Sequence, residues 1–448
     1  MSDNLDLKKG LDIPVEGAAA RRVIKKVVPG TVAVSPAGFK GFSPRLLVKE
    51  GDRVLAGSPV LADKMNSSIL VTSPVSGTVS EVVRGEKRKL LAVLIAADTE
   101  QEFVDFGTIK PANGEDVKAL LLGSGLWRTI VQRPYGVMAD LSVTPKCIFV
   151  SSFSTAPLAA DTEFAFGGEA ENIQAGLKAL SLLTEGGVHL GVNKEVAAKS
   201  PFAKMEGVIT HFVSGPHPAG NVGVQISHIC PILKGETVWT VSLLGVALIG
   251  RLLRTGKLDL TRKVAVTGPG VVDESLGYVE ALPGTPVKDI TAVFDGQRII
   301  SGDILSGESV GTEGYLRWND NQLTILWEGP EREILGWAKP FRPGVFSSSM
   351  CYFSWLTPRK KYNMDTNLHG GPRAFVQTKC FEDVTPMDIF PIYLVKACLA
   401  GDIEKMEKFG IYEVLPEDLA LCDYVDPSKN EIQAIISSGI DLMIKEMA

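Results

Sequence analysis

Residues 47–79 read LVKEGDRVLAGSPVLADKMNSSILVTSPVSGTV, and this stretch decides the fold at the start of the chain. Val48, Val54, Val60 and Leu61 sit in short β-type runs, punctuated by Gly51-Asp52 and by Ala56-Gly57-Ser58-Pro59. Gly, Pro, Asp and Ser clusters between β-branched runs mark turns between strands. Ser73-Pro74-Val75-Ser76-Gly77-Thr78-Val79 repeats the turn-and-strand unit. Short strands joined by tight turns predict a small β-sandwich over about residues 31–97.

The pattern resembles the biotinyl/lipoyl carrier fold, in which a hairpin presents a lysine for modification. Asp63-Lys64 stands near that position, but Lys64 lies ten residues before Pro74, a longer spacing than in lipoyl domains. Lys64 is therefore expected to be an unmodified hairpin tip.

Outward from there, length and composition set bounds. A chain of 448 residues holds two to four domains at roughly 100–200 residues each. A hydrophobic content of 45% with 22% charged residues describes an ordinary globular core. The net charge of −6 and the absence of a long basic run argue against a nucleic-acid surface. The first residues, MSDNLDLKKGLD, contain no apolar run of signal-peptide type. The longest apolar run, Val238 to Ile249, holds 12 residues, whereas a spanning helix needs roughly 20. A soluble chain that docks on a membrane complex is expected. The six cysteines are scattered without a CxxC pair, which suits a reducing cytoplasm.

Five segments follow in chain order. Residues 1–107 hold an N-terminal arm, extended where Pro14 disfavours helix at Ile13, and the carrier-like sandwich, closed by an acidic linker at 98–107. In residues 115–260, Val117, Leu120, Leu121 and Leu122 make a short helix, and Cys147-Ile148-Phe149-Val150 reads as a buried parallel strand. Ile173, Leu177, Leu180 and Leu183 have helical spacing, and Val188–Val192 is another strand. Strand, helix, strand predicts a Rossmann-like α/β layer. Residues 261–330 are β-rich, with strands near Lys263–Gly268, Arg298–Ile300 and Leu323–Trp327. Residues 331–386 are read as an irregular connection, and 387–448 as a small helical domain with Pro391 in the first turn of its helix.

Several motifs invite chemistry and are read as structure. Gly307-Glu308-Ser309-Val310-Gly311 matches the GxSxG elbow of hydrolases, but a strand-like Tyr315–Trp318 follows it where the elbow needs a helix. Gly268-Pro269-Gly270 reads as a turn, because Pro269 opposes a phosphate-cradling helix. His211, His217 and His228 lack carboxylate or thiol partners at ligand spacing apart from Cys230, so no metal is expected. Gly215-Pro216-His217-Pro218-Ala219-Gly220 is a rigid loop, since two prolines restrict the backbone around His217. It is a turn by default, or a device that holds one imidazole against a partner or a quinone-type carbonyl. Gly123-Ser124-Gly125-Leu126-Trp127 lacks the glycine density of a flavin phosphate loop.

Taken together, blocks from end to end of the chain carry a family resemblance. They are Lys9–Pro14, Gly77-Thr78-Val79 with Arg84–Arg88, Ser124–Trp127, Gly215–Gly220, Val238-Trp239-Thr240 and Glu417–Cys422. They resemble the A-subunit family of bacterial sodium-translocating NADH:quinone oxidoreductases. More weakly, the chain is similar to electron-input subunits of related respiratory complexes, which carry a flavin loop, a β-grasp module and a cysteine-rich helical end. It departs from them in having Gly123–Arg128 in place of the flavin loop. Where the last iron–sulfur block would run, only Cys422 stands among Pro416, Leu419 and Asp426. Cys380 likewise has no CxxC partners. One thiolate of four does not hold a cluster.

The resemblance implies an α/β multidomain fold: carrier-like sandwich, α/β layer domain, β-grasp-like module and a small helical C-terminal domain resembling a cluster domain without its cysteines. It implies a peripheral subunit on the cytoplasmic face of the bacterial inner membrane, in a complex that oxidises NADH, reduces ubiquinone and pumps sodium ions. Ubiquinone is the expected substrate, no cofactor is expected to be held tightly by this chain, and NADH, flavin and iron–sulfur centres belong to other subunits. The partners are those subunits, above all an integral membrane one. A quinone needs hydrogen-bond donors and an apolar slot: His217 and His211 are the candidate donors, and Trp127, Phe39 and Phe42 the candidate walls. The competing reading is a cofactor-free scaffold that binds no ligand.

Overall fold

The computed structural model describes residues 4–329, 336, 339, 342, 344–348, 353–376 and 379–447. Part of the connection expected at 331–386 lies outside the described residues; its described part is not wholly irregular, carrying a 3-10 turn at Ser354–Leu356 and a short helix at Cys380–Val384. The chain opens with β1 (Asn4–Asp6) and β2 (Val23–Lys26). Neither belongs to the sandwich that follows. β1 lies parallel to a strand of the α/β sheet, pairing Asn4 with Phe212, and β2 pairs with the β-rich module, setting Val23 beside Tyr278. The N-terminal arm, expected only as an extended lead-in, stitches two later sheets together.

The sandwich contains β3 (Thr31–Val34), β4 (Pro44–Leu46), β5 (Arg53–Val54), β6 (Pro59–Asp63), β7 (Leu70–Thr72), β8 (Gly77–Arg84) and β9 (Leu90–Ala97). Its sheets run β3-β9-β8-β5 and β4-β6-β7. Alternation along the strands turns Val32, Val60, Val71, Val79, Val93 and Ile95 into one core between them. Lys64 is exposed at the turn joining β6 to β7.

The α/β layer contains α1 (Gly114–Ser124), β10 (Ile130–Arg133), β11 (Val137–Met138), β12 (Ile148–Ser151), α2 (Thr162–Phe166) and α3 (Ala170–Leu180). It continues through β13 (Val188–Asn193), β14 (Ile209–Ser214), α4 (Val222–Ile229), β15 (Val238–Val241) and α5 (Leu243–Thr255). The sheet order is β1-β14-β13-β12-β15-β10-β11, parallel through β15 and antiparallel at β10 and β11. The continuous apolar run in β12 is buried on both faces, as a central parallel strand must be. Ser242 caps α5 by accepting the Gly245 N–H at 3.1 Å. Helices α3 and α5 pack backbone to backbone: a Cβ at Gly250 would overlap the Asn172 carbonyl, and one at Gly176 the Val246 carbonyl. Gly250→Ala is therefore expected to cost about 1–3 kcal/mol, seen as a lower urea midpoint with an unchanged slope.

The next module contains β16 (Arg262–Thr267), β17 (Gly277–Ala281), α6 (Val287–Ile290), β18 (Gln297–Ser301), β19 (Glu308–Ser309) and β20 (Gln322–Trp327). Parallel β16 and β20 lie side by side within the order β19-β18-β20-β16-β17-β2, and a short helix links the two hairpins, which is a β-grasp arrangement. Ser309 sits in a two-residue strand, not a strand-to-helix elbow. The helical end contains α7 (Cys380–Val384), α8 (Pro391–Ala400), α9 (Ile403–Phe409), α10 (Ala420–Val425) and α11 (Ile432–Met447). Pro391 is in the first turn of α8, where its missing N–H costs nothing.

Candidate functional site

The sandwich, the α/β layer and the β-grasp module meet around one side chain. Gly125 ends α1 in the left-handed region at φ 74° and turns the chain into a 3-10 segment, Leu126–Thr129. Thr72 from the sandwich fastens this turn by donating its hydroxyl to the Ser124 carbonyl at 3.0 Å. The segment buries Trp127 in the α/β core, where its Nε1 donates to the Ala139 carbonyl at 2.9 Å and its ring meets Trp239 edge-on at 5.5 Å. Arg128, the next residue, faces the other way.

Arg128 is 3% exposed. Its guanidinium lies over the Trp318 ring, 3.2 Å from the centroid, and 5.4 Å from that of Phe39. Its Nε and Nη2 are buried without a hydrogen-bond partner among the described residues. Arg262 lies on the same indole at 5.6 Å and donates to the Trp318 carbonyl. Burial, and then the charge of Arg262, pull the Arg128 guanidinium well below its ordinary range. A buried cation without a counter-charge costs several kcal/mol, so this side chain is held in place against its solvation.

Arg128 lines a cavity of about 400 Å³ between the sandwich and the β-grasp module. One wall is sandwich strand, with Val34, Leu91 and Leu94; the other is the turn Pro283-Gly284 and the segment Tyr315–Trp318. The Ala33 N–H donates to the Gly284 carbonyl at 2.9 Å, and the Gly284 N–H to the Leu316 carbonyl at 2.8 Å. The first bond fixes the two walls to each other and the second braces the module wall, and a Cβ at Gly284 would overlap the Ala33 carbonyl. The result is a largely apolar slot lined in part by Arg128 and the Trp318 indole. Such a slot suits a flat apolar ring carrying an acceptor oxygen.

The structure distributes the sequence-derived candidates between different places. Phe39 lies under Arg128, and Phe42 meets Phe39 edge-on at 6.4 Å. Trp127 is sealed in the α/β core. His211 pairs its Nε2 with Nδ1 of His189 at 2.9 Å and stacks on that ring, which stacks in turn on Phe149. His217 is buried: its Nδ1 lies 3.2 Å from the Thr155 hydroxyl, and its backbone N–H donates to Asp12 at 2.9 Å. Its loop thus receives the N-terminal arm at the end of the α/β sheet. His228 is turned to the Pro386 carbonyl at 2.6 Å, so the three histidines face three different partners. Sequence reading named Trp127 and passed over Arg128 and Trp318; the one available signal was a lone arginine inside the apolar run Leu126–Val131.

Among the described residues no helix is long and apolar enough to cross a membrane, and no cluster of side chains is fit to hold a metal ion. Family models described as the NqrA N-terminal barrel-sandwich hybrid domain and the NqrA second alpha/beta domain match residues 5–98 and 112–258. Similar relatives include the A subunit of the Na(+)-translocating NADH-quinone reductase of Rhodopirellula baltica, 34% identical over 98% of each chain. The proteins of that name from Neisseria meningitidis serogroup A and Pasteurella multocida are each 35% identical, covering 99% of this chain and 100% of theirs.

Proposed function

The chain belongs to the A-subunit (NqrA) family of the Na+-translocating NADH-quinone reductase, and from that premise we propose that it serves the quinone-reduction step of the complex. In this reading it is a peripheral subunit on the cytoplasmic face, held by an integral membrane partner, with flavin, iron–sulfur centres and the NADH site on other subunits. The five segments read from the sequence are its working units. Ubiquinone enters the slot between sandwich and β-grasp module, its ring against Trp318. The carrying observation is the buried Arg128 guanidinium, which lines that slot and whose Nε and Nη2 have no hydrogen-bond partner among the described residues. A quinone carbonyl is the acceptor it lacks, and a donor aimed there stabilises negative charge as it develops on that oxygen. Phe39, with Phe42 edge-on to it, supports the Arg128 guanidinium from outside the slot; His217 and His211 act at a distance, by shaping the end of the α/β sheet.

Titration calorimetry of the full chain with a short-tailed ubiquinone tests this. Saturable binding that survives His217→Ala is expected, because the imidazole is engaged with Thr155. Binding lost with His217→Ala would move the site to the Pro-His-Pro loop. No saturable binding at all would favour the scaffold reading.

A further inference from the structure

Two sulfur atoms meet at the base of the α/β sheet, away from the slot. Cys147 immediately precedes β12, and its carbonyl accepts the Trp239 N–H at 3.1 Å. Cys230 caps the C-terminal end of α4, donating its N–H to the Ile226 carbonyl at 2.8 Å. The Sγ atoms stand 3.3 Å apart although 83 residues separate them in the chain. Strand and helix therefore fix the approach, and both residues pack in one small apolar cluster with Phe149, Ile226, Ile232 and Val238. The sulfurs differ in setting: Cys147 is 2% exposed, whereas Cys230 is half-buried. Charged neighbours stand on one side. The Lys146 ammonium is paired with Glu236 at 2.8 Å and with the carbonyl of Pro231, the residue after Cys230, at 3.3 Å.

We propose that Cys147 and Cys230 form a modification site, a dithiol that hydrogen peroxide oxidises to an intramolecular disulfide. Cys230 is the attacking sulfur, because it is accessible and has a cation beside it. Burial, then the neighbouring thiol, push the Cys147 thiol well above its ordinary range, so it is the resolving partner. The Cys230 thiolate attacks one oxygen of the peroxide, the O–O bond breaks, and the departing hydroxide takes up a proton as water. The sulfenic acid formed on Cys230 is then attacked by the Cys147 sulfur. The S–S bond forms, the S–O bond breaks, and the second hydroxide leaves as water with the Cys147 proton. Two electrons pass from sulfur to oxygen, and two thiols with one peroxide yield one disulfide and two waters. The bond ties the start of β12 to the end of α4, and a dithiol reductant opens it again.

The full chain, carrying Cys380→Ser so that this exposed thiol does not report, is treated with hydrogen peroxide, quenched with N-ethylmaleimide and digested for mass spectrometry. The expected product is about 2 Da lighter, takes up two fewer maleimides and yields one peptide joining Cys147 to Cys230; dithiothreitol reverses all three changes. Lys146→Met is expected to slow its formation roughly three- to tenfold, and Cys147→Ser to leave Cys230 as a dimedone-reactive sulfenic acid. The joined peptide is measured on the native pair, so misfolding of a variant leaves that result standing. Full alkylation of both cysteines after peroxide treatment, or a Cys230 sulfinate without the joined peptide, overturns the proposal.

Discussion

Asp418→Ala is expected to lower the unfolding free energy by about 3–5 kcal/mol, the penalty for leaving one member of a buried ion pair alone. Arg133, at the end of β10, has a side chain 2% exposed, and its Nη1 donates to Asp418 Oδ2 at 2.7 Å; the Asp418 side chain is fully buried. Nη2 reaches Glu417 at 3.1 Å, but that carboxylate is 41% exposed and screened by water. Asp418 Oδ2 also accepts the Leu415 N–H at 3.0 Å, so its loss opens the turn that starts the last helices. The pair joins the α/β sheet to the helical end, and α4 packs on both members, since a Cβ at Gly223 would overlap Arg133 and Asp418 together. Urea denaturation with limited proteolysis checks this: the variant should release the helical end before the rest unfolds. Arg133→Met with Asp418→Leu should recover most of the loss, because replacing a buried pair by apolar groups is often neutral. A single-variant effect below about 1 kcal/mol would assign the tie to apolar packing alone, within the range of an ordinary surface pair.

What was legible in the sequence is what local pattern encodes. The turn residues between Val48 and Val79 give a sandwich, and the spacing of Ile173, Leu177 and Leu180 gives α3 between two buried strands, because each pattern reports which side of one element faces a core. Pairings over long separations leave no such trace. β1 and β2 are short and polar-flanked, and nothing near Asn4 reveals that its partner is Phe212. The same limit applied at the slot. Trp127 stood out as a large aromatic, yet a tight turn after Gly125 sends Trp127 into the core and its neighbour Arg128 to the cavity. A charged residue is normally read as solvated; only the fold places Trp318 over this one. The paired sulfurs of Cys147 and Cys230 were equally hidden, lying in separate elements without a CxxC spacing.

Arg128→Met separates a binding residue from a structural one, because the two roles move stability in opposite directions. Were the guanidinium a structural tie, its removal would destabilise the fold, as at Asp418. Among the described residues its Nε and Nη2 have no hydrogen-bond partner, however, and Arg262 repels it across the same indole. Methionine fills a similar volume against Trp318 and Phe39 and removes the buried charge, so the variant is expected to gain roughly 1–4 kcal/mol in urea. The same change takes away the donors lining the slot, and a charge-assisted hydrogen bond is worth about 1.5–3 kcal/mol. Ubiquinone affinity should therefore fall roughly 10- to 100-fold. Greater stability with weaker binding is the signature of a group kept for its ligand at a cost to the fold. Lower stability with unchanged binding would return Arg128 to the core and take the quinone out of this slot. Trp318→Leu supplies the complement: it should weaken binding through the lost ring contact while the guanidinium stays in place. Both measurements use the intact chain, since the slot exists only where the sandwich and the β-grasp module meet, as through the Ala33–Gly284 bond.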